Sequence, residues 1–272
     1  MGKRKAAENG HAGSDDSGSD DDISMLDVDF EFFSPAEIDF HGLKSLLRQL
    51  FDSDAESLDL SGLADLIISQ PSIGSTVKCD GEESDPFAFL TVLSLHDHAS
   101  NPVIASLVSY LSSRSATNPA LAQLTSLLSS SDANVALVLG ERLINMPTAV
   151  VPALYTMLTE ELPTPVPYTH FLVLSKTYAE VASTLPSSDR PSKKSRPADS
   201  EETFYFHAED EALARVAEVS GGWDYARVDE GASDARRAFQ DAGIRPRGFA
   251  LLVKGERWGE AVEVVGKYLG QE

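Results

Sequence analysis

Cysteine is nearly missing from these 272 residues. Cys79 stands alone, so the chain closes no internal disulfide and a zinc site has no second thiolate. That usage suits a reducing compartment, cytosol or nucleus. Positive charge is also scarce: lysine and arginine number 22 against 43 aspartates and glutamates, a formal net charge of −21. Nucleic acid is held mainly through cationic contacts to phosphate, so this deficit argues against direct nucleic-acid binding and for basic partners. No apolar run approaches the roughly 18–20 residues needed to cross a bilayer, and no membrane partner is expected. The polar stretch 1–13 lacks the apolar core of a secretory signal, and Ala6 stands where a myristoylation motif wants Ser or Thr.

Catalytic motifs are missing too. There is no GxxxxGK[ST] loop to cradle a phosphate, no GxGxxG, no GxSxG elbow and no HExxH helix. No catalytic residue, metal or cofactor is expected. Five constellations remain to be weighed. His96, Asp97 and His98 follow a strand and have metal-ligand chemistry, but a solvated loop explains them. His207 with Glu209, Asp210 and Glu211 has the makings of a base and its orienting carboxylate; an acidic first turn complementing a helix dipole explains it better. Asp39 beside His41 reads as a helix N-cap. Cys79 lies among Asp80, Glu82 and Glu83, whose charge raises a thiol pKa and argues against a nucleophile. A small basic patch, Arg236, Arg237, Arg245 and Arg247, is expected to pair with the acidic body.

Hydrophobic residues make up 42% of the chain, enough for a packed core. Spacing of three and four places Phe40, Leu43, Leu46, Leu47, Leu50 and Phe51 on one helical face over 39–51. A second helix spans 58–69, stopped by Pro71. Strands are expected at 73–78 and 87–95, helices at 105–112 and 119–129, and a two-sided apolar strand at 135–139. Pro147 then opens a helix carrying Val150, Val151, Leu154, Met157, Leu158 and Leu162. Strands at 171–178 and 204–206 flank an exposed loop, 186–202. Ser233 caps a helix ending near Gly243 before Pro246; a strand at 248–254 and a helix at 258–269 close the chain. The alternation predicts an α/β (α+β) fold: a single central mixed sheet flanked by helices.

Residues 14–31 hold eight acidic and no basic side chains, and 1–27 reads as a disordered acidic tail ahead of one domain, 28–272. Residues 1–40 carry a net −8, which leaves −13 on the rest. Ser17 and Ser19, each followed by aspartates, suit an acid-directed kinase. Lys3, Arg4 and Lys5, with Lys193, Lys194 and Arg196 in the loop, form short basic tracts of the kind that serve nuclear import.

In order along the chain, Val28-Asp29-Phe30-Glu31-Phe32-Phe33, Asp39-Phe40-His41-Gly42-Leu43-Lys44, Leu63-Ala64-Asp65-Leu66-Ile67, Ile73-Gly74-Ser75-Thr76-Val77-Lys78 and Asp85-Pro86-Phe87-Ala88-Phe89-Leu90 are followed by Glu141-Arg142-Leu143-Ile144-Asn145-Met146-Pro147, Leu174-Ser175-Lys176-Thr177-Tyr178 and Phe204-Tyr205-Phe206-His207-Ala208-Glu209-Asp210-Glu211. This succession resembles the BCCIP family of eukaryotic nuclear proteins. The resemblance implies a protein of nucleus and cytoplasm that works by binding others. Its expected partners are a basic large-subunit ribosomal protein, which it chaperones, the nuclear transport machinery, and a phosphoinositide kinase as export cargo. It also implies a sheet like that of the Gcn-five-related acetyltransferases, although the Arg/Gln-xxGxG/A loop that holds acyl-CoA pyrophosphate is missing. The carboxylates expected to meet basic cargo are Asp15, Asp16, Asp20, Asp21 and Asp22 in the tail and Glu82, Glu83, Glu209, Asp210 and Glu211 in the body. The rival readings are a cell-cycle or DNA-repair scaffold and an acyl-CoA-binding enzyme.

Overall fold

The computed structural model describes residues 29–70, 72–130, 133–180, 203–226 and 244–270. The acidic tail with Ser17, Ser19 and the Lys3–Lys5 tract lies outside them. So do the 186–202 loop with Lys193, Lys194 and Arg196, and the helix expected after Ser233 with Arg236 and Arg237.

Among the described residues eight strands form one sheet: β1 (Glu31–Phe33), β2 (Ser75–Lys78), β3 (Ala88–Ser94), β4 (Val135–Arg142), β5 (His170–Glu180), β6 (Phe204–Tyr205), β7 (Val219–Trp223) and β8 (Ile244–Lys254). Their order is β1-β2-β3-β4-β5-β8-β7, with β6 on β5. Every pairing is antiparallel except β4 with β5, joined by the crossover helix α5 (Val150–Glu161), so the sheet is mixed as expected.

Helices cover both faces. α1 (Phe40–Phe51), α2 (Leu60–Ile68), α3 (Pro102–Ser115) and α4 (Ala122–Leu128) pack their apolar faces on Phe89, Leu93, Leu137, Leu139, Leu172 and Leu252. On the other side α5, α6 (Ala208–Val216) and α7 (Trp258–Tyr268) bury Ala88, Leu90, Val92, Ala136, Val138, Phe171, Val173 and Leu251. Consecutive residues of one strand thus serve opposite cores, which is why β3 and β4 are apolar at nearly every position.

Several boundaries differ from expectation for visible reasons. α3 starts earlier, at Pro102, because the Asn101 side chain caps the Val103 N–H at 2.9 Å. The segment opening at Pro119 is a 3-10 turn through Leu121 before α4 begins. Pro147 does not open α5, which starts three residues later. Pro246 lies inside β8 at a position where β7, ending at the Trp223–Gly248 pair, no longer flanks it; a missing N–H is tolerated there. Two strands were not expected. β1 has three residues, and β7 carries Gly221 and Gly222, which lower strand propensity. Their absence of side chains is what the fold uses: a Cβ on Gly221 would meet Asn118 Nδ2 at 2.9 Å and Leu121 Cγ at 3.1 Å, in the turn that covers this edge.

Candidate functional site

The parallel pair parts in the middle of the sheet. β4 and β5 pair from Val135–His170 to Val138–Val173, yet β4 continues to Arg142 and β5 to Glu180. Side chains fill the wedge. On the α1 side, Lys176 Nζ lies 2.7 Å from Glu141 Oε2 and donates to the Gln49 carbonyl at 2.9 Å. Gln49 Nε2 in turn donates to Glu141 Oε1 at 3.3 Å and to the Arg142 carbonyl at 3.1 Å. On the α6 side, Arg142 grips Glu209 through Nε at 3.2 Å and Nη2 at 3.0 Å, and the Ser175 hydroxyl donates to the Asp210 carboxylate. His207, at the mouth of α6, joins the two halves: its Nε2 sits 2.7 Å from Glu141 Oε1. The first turn of α6 is therefore fastened to both diverging strands.

These groups are buried, and burial sets their protonation. It raises the Asp210 carboxyl to about 7, with Glu209 and Glu141 adding to the rise while His207 and Ser175 oppose it. Burial also pushes Glu141 up, but the bond and charge of His207 and Lys176 outweigh it and hold Glu141 below its ordinary range. For His207, burial favours the neutral ring, yet the Glu141 bond prevails and its pKa is raised. The wedge is thus an acid–base network that joins four elements, β4, β5, α1 and α6. A cavity of about 40 Å³ borders it at Gly140, Ser175 and His207, whereas small-molecule sites span roughly 300–1,000 Å³.

A second concentration of charge is exposed. The β2–β3 loop presents Asp80, Glu82, Glu83 and Asp85 to solvent, beside Glu31 of β1 and Glu37 ahead of α1. Lys78 is not available to neutralise them. It is fully buried, 2.6 Å from the equally buried Asp39, and its Nζ donates to the Glu82 carbonyl.

The sequence profile of the BCCIP family matches residues 25–213. The chain belongs to the BCCIP family. It is 48% identical to protein bcp1 of Emericella nidulans, covering 100% of both chains. It is 46% identical to protein bcp1 of Schizosaccharomyces pombe, across 94% of this chain and 95% of that one. The crystal structure of BCP1 from Saccharomyces cerevisiae is similar over 93% of this chain and 92% of its own, with a TM-score of 0.61 and 27% identity.

Within this BCCIP-family fold the expected partner-binding carboxylates divide. Glu82 and Glu83 are exposed. Glu211, on the outer side of α6, bonds Arg215 at 2.8 Å and Tyr268 at 2.7 Å and keeps about half of its side chain open. Glu209 and Asp210, expected on the surface beside it, are instead interior residues engaged by Arg142 and Ser175. Asp39 is also corrected: it precedes α1 but makes no side-chain cap, and instead accepts from the Ala36 N–H at 3.0 Å and pairs with Lys78. His96 and Asp97 lie in an exposed turn and contact each other at 3.3 Å. The Cys79 pKa is raised, the expected direction, but burial leads and Asp80 follows. Arg245 and Arg247 both pair with Asp224, at 3.1 and 3.2 Å. The wedge residues Glu141, Arg142, Ser175 and Lys176 were not singled out as a site. Their signal was present: charged side chains closing the apolar run of β4 and interrupting that of β5 are expected only where partners wait.

Proposed function

We propose that this BCCIP-family protein is a non-enzymatic escort. It chaperones a basic large-subunit ribosomal protein and accompanies it between nucleus and cytoplasm through the transport machinery, in support of ribosome biogenesis. The observation that carries this reading is acidity spread over the folded body as well as the tail, with −13 of the net charge beyond residue 40. A newly made ribosomal protein is a dense cationic surface; an acidic partner masks it from nucleic acid and speeds encounter. The family's expected phosphoinositide-kinase cargo fits the same export duty.

Capture of the tagged protein from its own cells at moderate and high salt tests this. One basic ribosomal protein should be recovered in stoichiometric amount and lost as salt rises. Recovery of cell-cycle or repair proteins instead would favour the scaffold reading. The acetyltransferase-like reading draws its support from the parted β4–β5 pair, an opening between parallel strands of the kind that holds ligands in α/β sheets. Thermal stabilisation by acetyl-CoA would favour it; against it stand the filled wedge and the missing glycine loop.

A further inference from the structure

Ile144 is the most exposed large apolar side chain among the described residues, 87% open. A single exposed aliphatic needs no explanation, but this one is held out on a fixed turn. The Leu143 N–H donates to the Phe87 carbonyl at 2.9 Å, the Met146 N–H returns to the Leu143 carbonyl at 3.0 Å, and Met146 is buried in the α5-side core. Phe87, to which the turn is tied, ends the β2–β3 loop with its four exposed carboxylates. Through Lys78 that loop is fastened to Asp39, whose chain neighbour Ile38 is 49% exposed. Ile144 and Ile38 are thus each one residue away from a contact with this acidic loop. Glu31, across from Lys78 in the β1–β2 ladder and exposed, adds to the acidic rim.

We infer that Ile144 and Ile38 are the apolar anchors of a docking surface for a basic polypeptide, with the surrounding carboxylates as its rim. Charge complementarity selects this occupant: a second copy of a chain with net charge −21, a nucleic acid or an anionic membrane would each be repelled. The division of labour follows from physics. Rim charges act at long range, raise the association rate and make it salt-dependent; a desolvated aliphatic in a pocket acts only at contact and slows dissociation. The inference rests on the basic-cargo reading and names the face that such cargo would meet.

The test uses the full chain and, as probe, proteins extracted from washed large ribosomal subunits. The retained protein is identified and its binding rates are measured for Ile144→Asp, Ile144→Leu, Glu82→Lys with Glu83→Lys, and Glu263→Lys on α7. Ile144 is exposed, so its variants should unfold at the wild-type temperature, which a melt checks. Expected are a roughly tenfold or greater loss of affinity for Ile144→Asp, seen in dissociation, and near-wild-type binding for Ile144→Leu. The double reversal should slow association and flatten its salt dependence, and Glu263→Lys should do much less. If wild type binds and all four variants bind equally, the surface assignment is overturned while the escort reading stands. If wild type retains no basic protein, the escort reading falls and takes this inference with it.

Discussion

Asp210 keeps a proton that an exposed aspartate would have lost. Its unfolded value is 3.8 and its folded value about 7, so its contribution to stability is full below 3.8 and drains away as pH climbs from there to about 7. His207, raised above 6.5, acts in the same direction: its contribution is complete below 6.5 and lost as pH passes the folded value. Glu141, held below 4.5, acts oppositely and loses its contribution only as pH falls. Stability should therefore peak on the acidic side and decline as pH rises from about 4 to 7, with His207 prolonging the decline above 6.5, read as a falling urea midpoint. Asp210→Asn, which keeps a partner for Ser175 and has no proton to lose, should flatten that decline. Breaking a buried ion pair from one side is the costlier change. Lys176→Met leaves Glu141 charged in the wedge and should cost about 3–5 kcal/mol. Asp39→Leu strands the fully buried Lys78 and should cost a similar amount, about 3–5 kcal/mol, most of it recovered when Lys78→Met is added. Denaturant melts of the single and double variants measure both.

Elements with a strong repeating pattern were legible in the sequence, and those defined by a neighbour were not. α1 announces itself through a three-and-four apolar spacing that the α1-side core then buries. β7 does not, because its Gly221 is explained by Asn118 and Leu121, a hundred or more residues upstream in the chain. Two glycine variants separate these cases. Gly221→Ala forces a Cβ against that turn, where Asn118 Nδ2 already donates to the Gly222 carbonyl at 2.9 Å, and should destabilise by about 1–3 kcal/mol. Gly266→Ala, inside α7 with nothing within 4 Å of the added Cβ, should stabilise by about 0.5–1 kcal/mol. Thermal melts of the two should shift in opposite directions.

For the whole molecule, charge is the property that reaches farthest. Residues 14–22 consist only of Ser, Asp and Gly, so their charge should act on encounter rather than on the bound complex. On the escort reading proposed above, deleting 1–27 should slow association with a basic ribosomal protein by about tenfold at low salt while leaving dissociation nearly unchanged. The difference should fade as ionic strength rises and the Debye length shrinks to about 8–10 Å. Stopped-flow or biosensor kinetics over a salt series read both rates. Equal association rates with and without the tail would assign the steering to the folded body alone.

The amino-acid sequence by itself determined the acidity of the chain, the layered α/β class and the family. Composition fixes the first, a two-sided apolar run such as 135–139 requires cover on both faces, and the order of the quoted segments carries the third. Only the tertiary structure decided which carboxylates of one helical turn face water. Glu209, Asp210 and Glu211 are consecutive and alike in chemistry, yet Arg142 lies 67 residues from the first and Ser175 lies 35 from the second. A charge enters the interior only where such a distant partner meets it, and that meeting is made by the parting of β4 and β5.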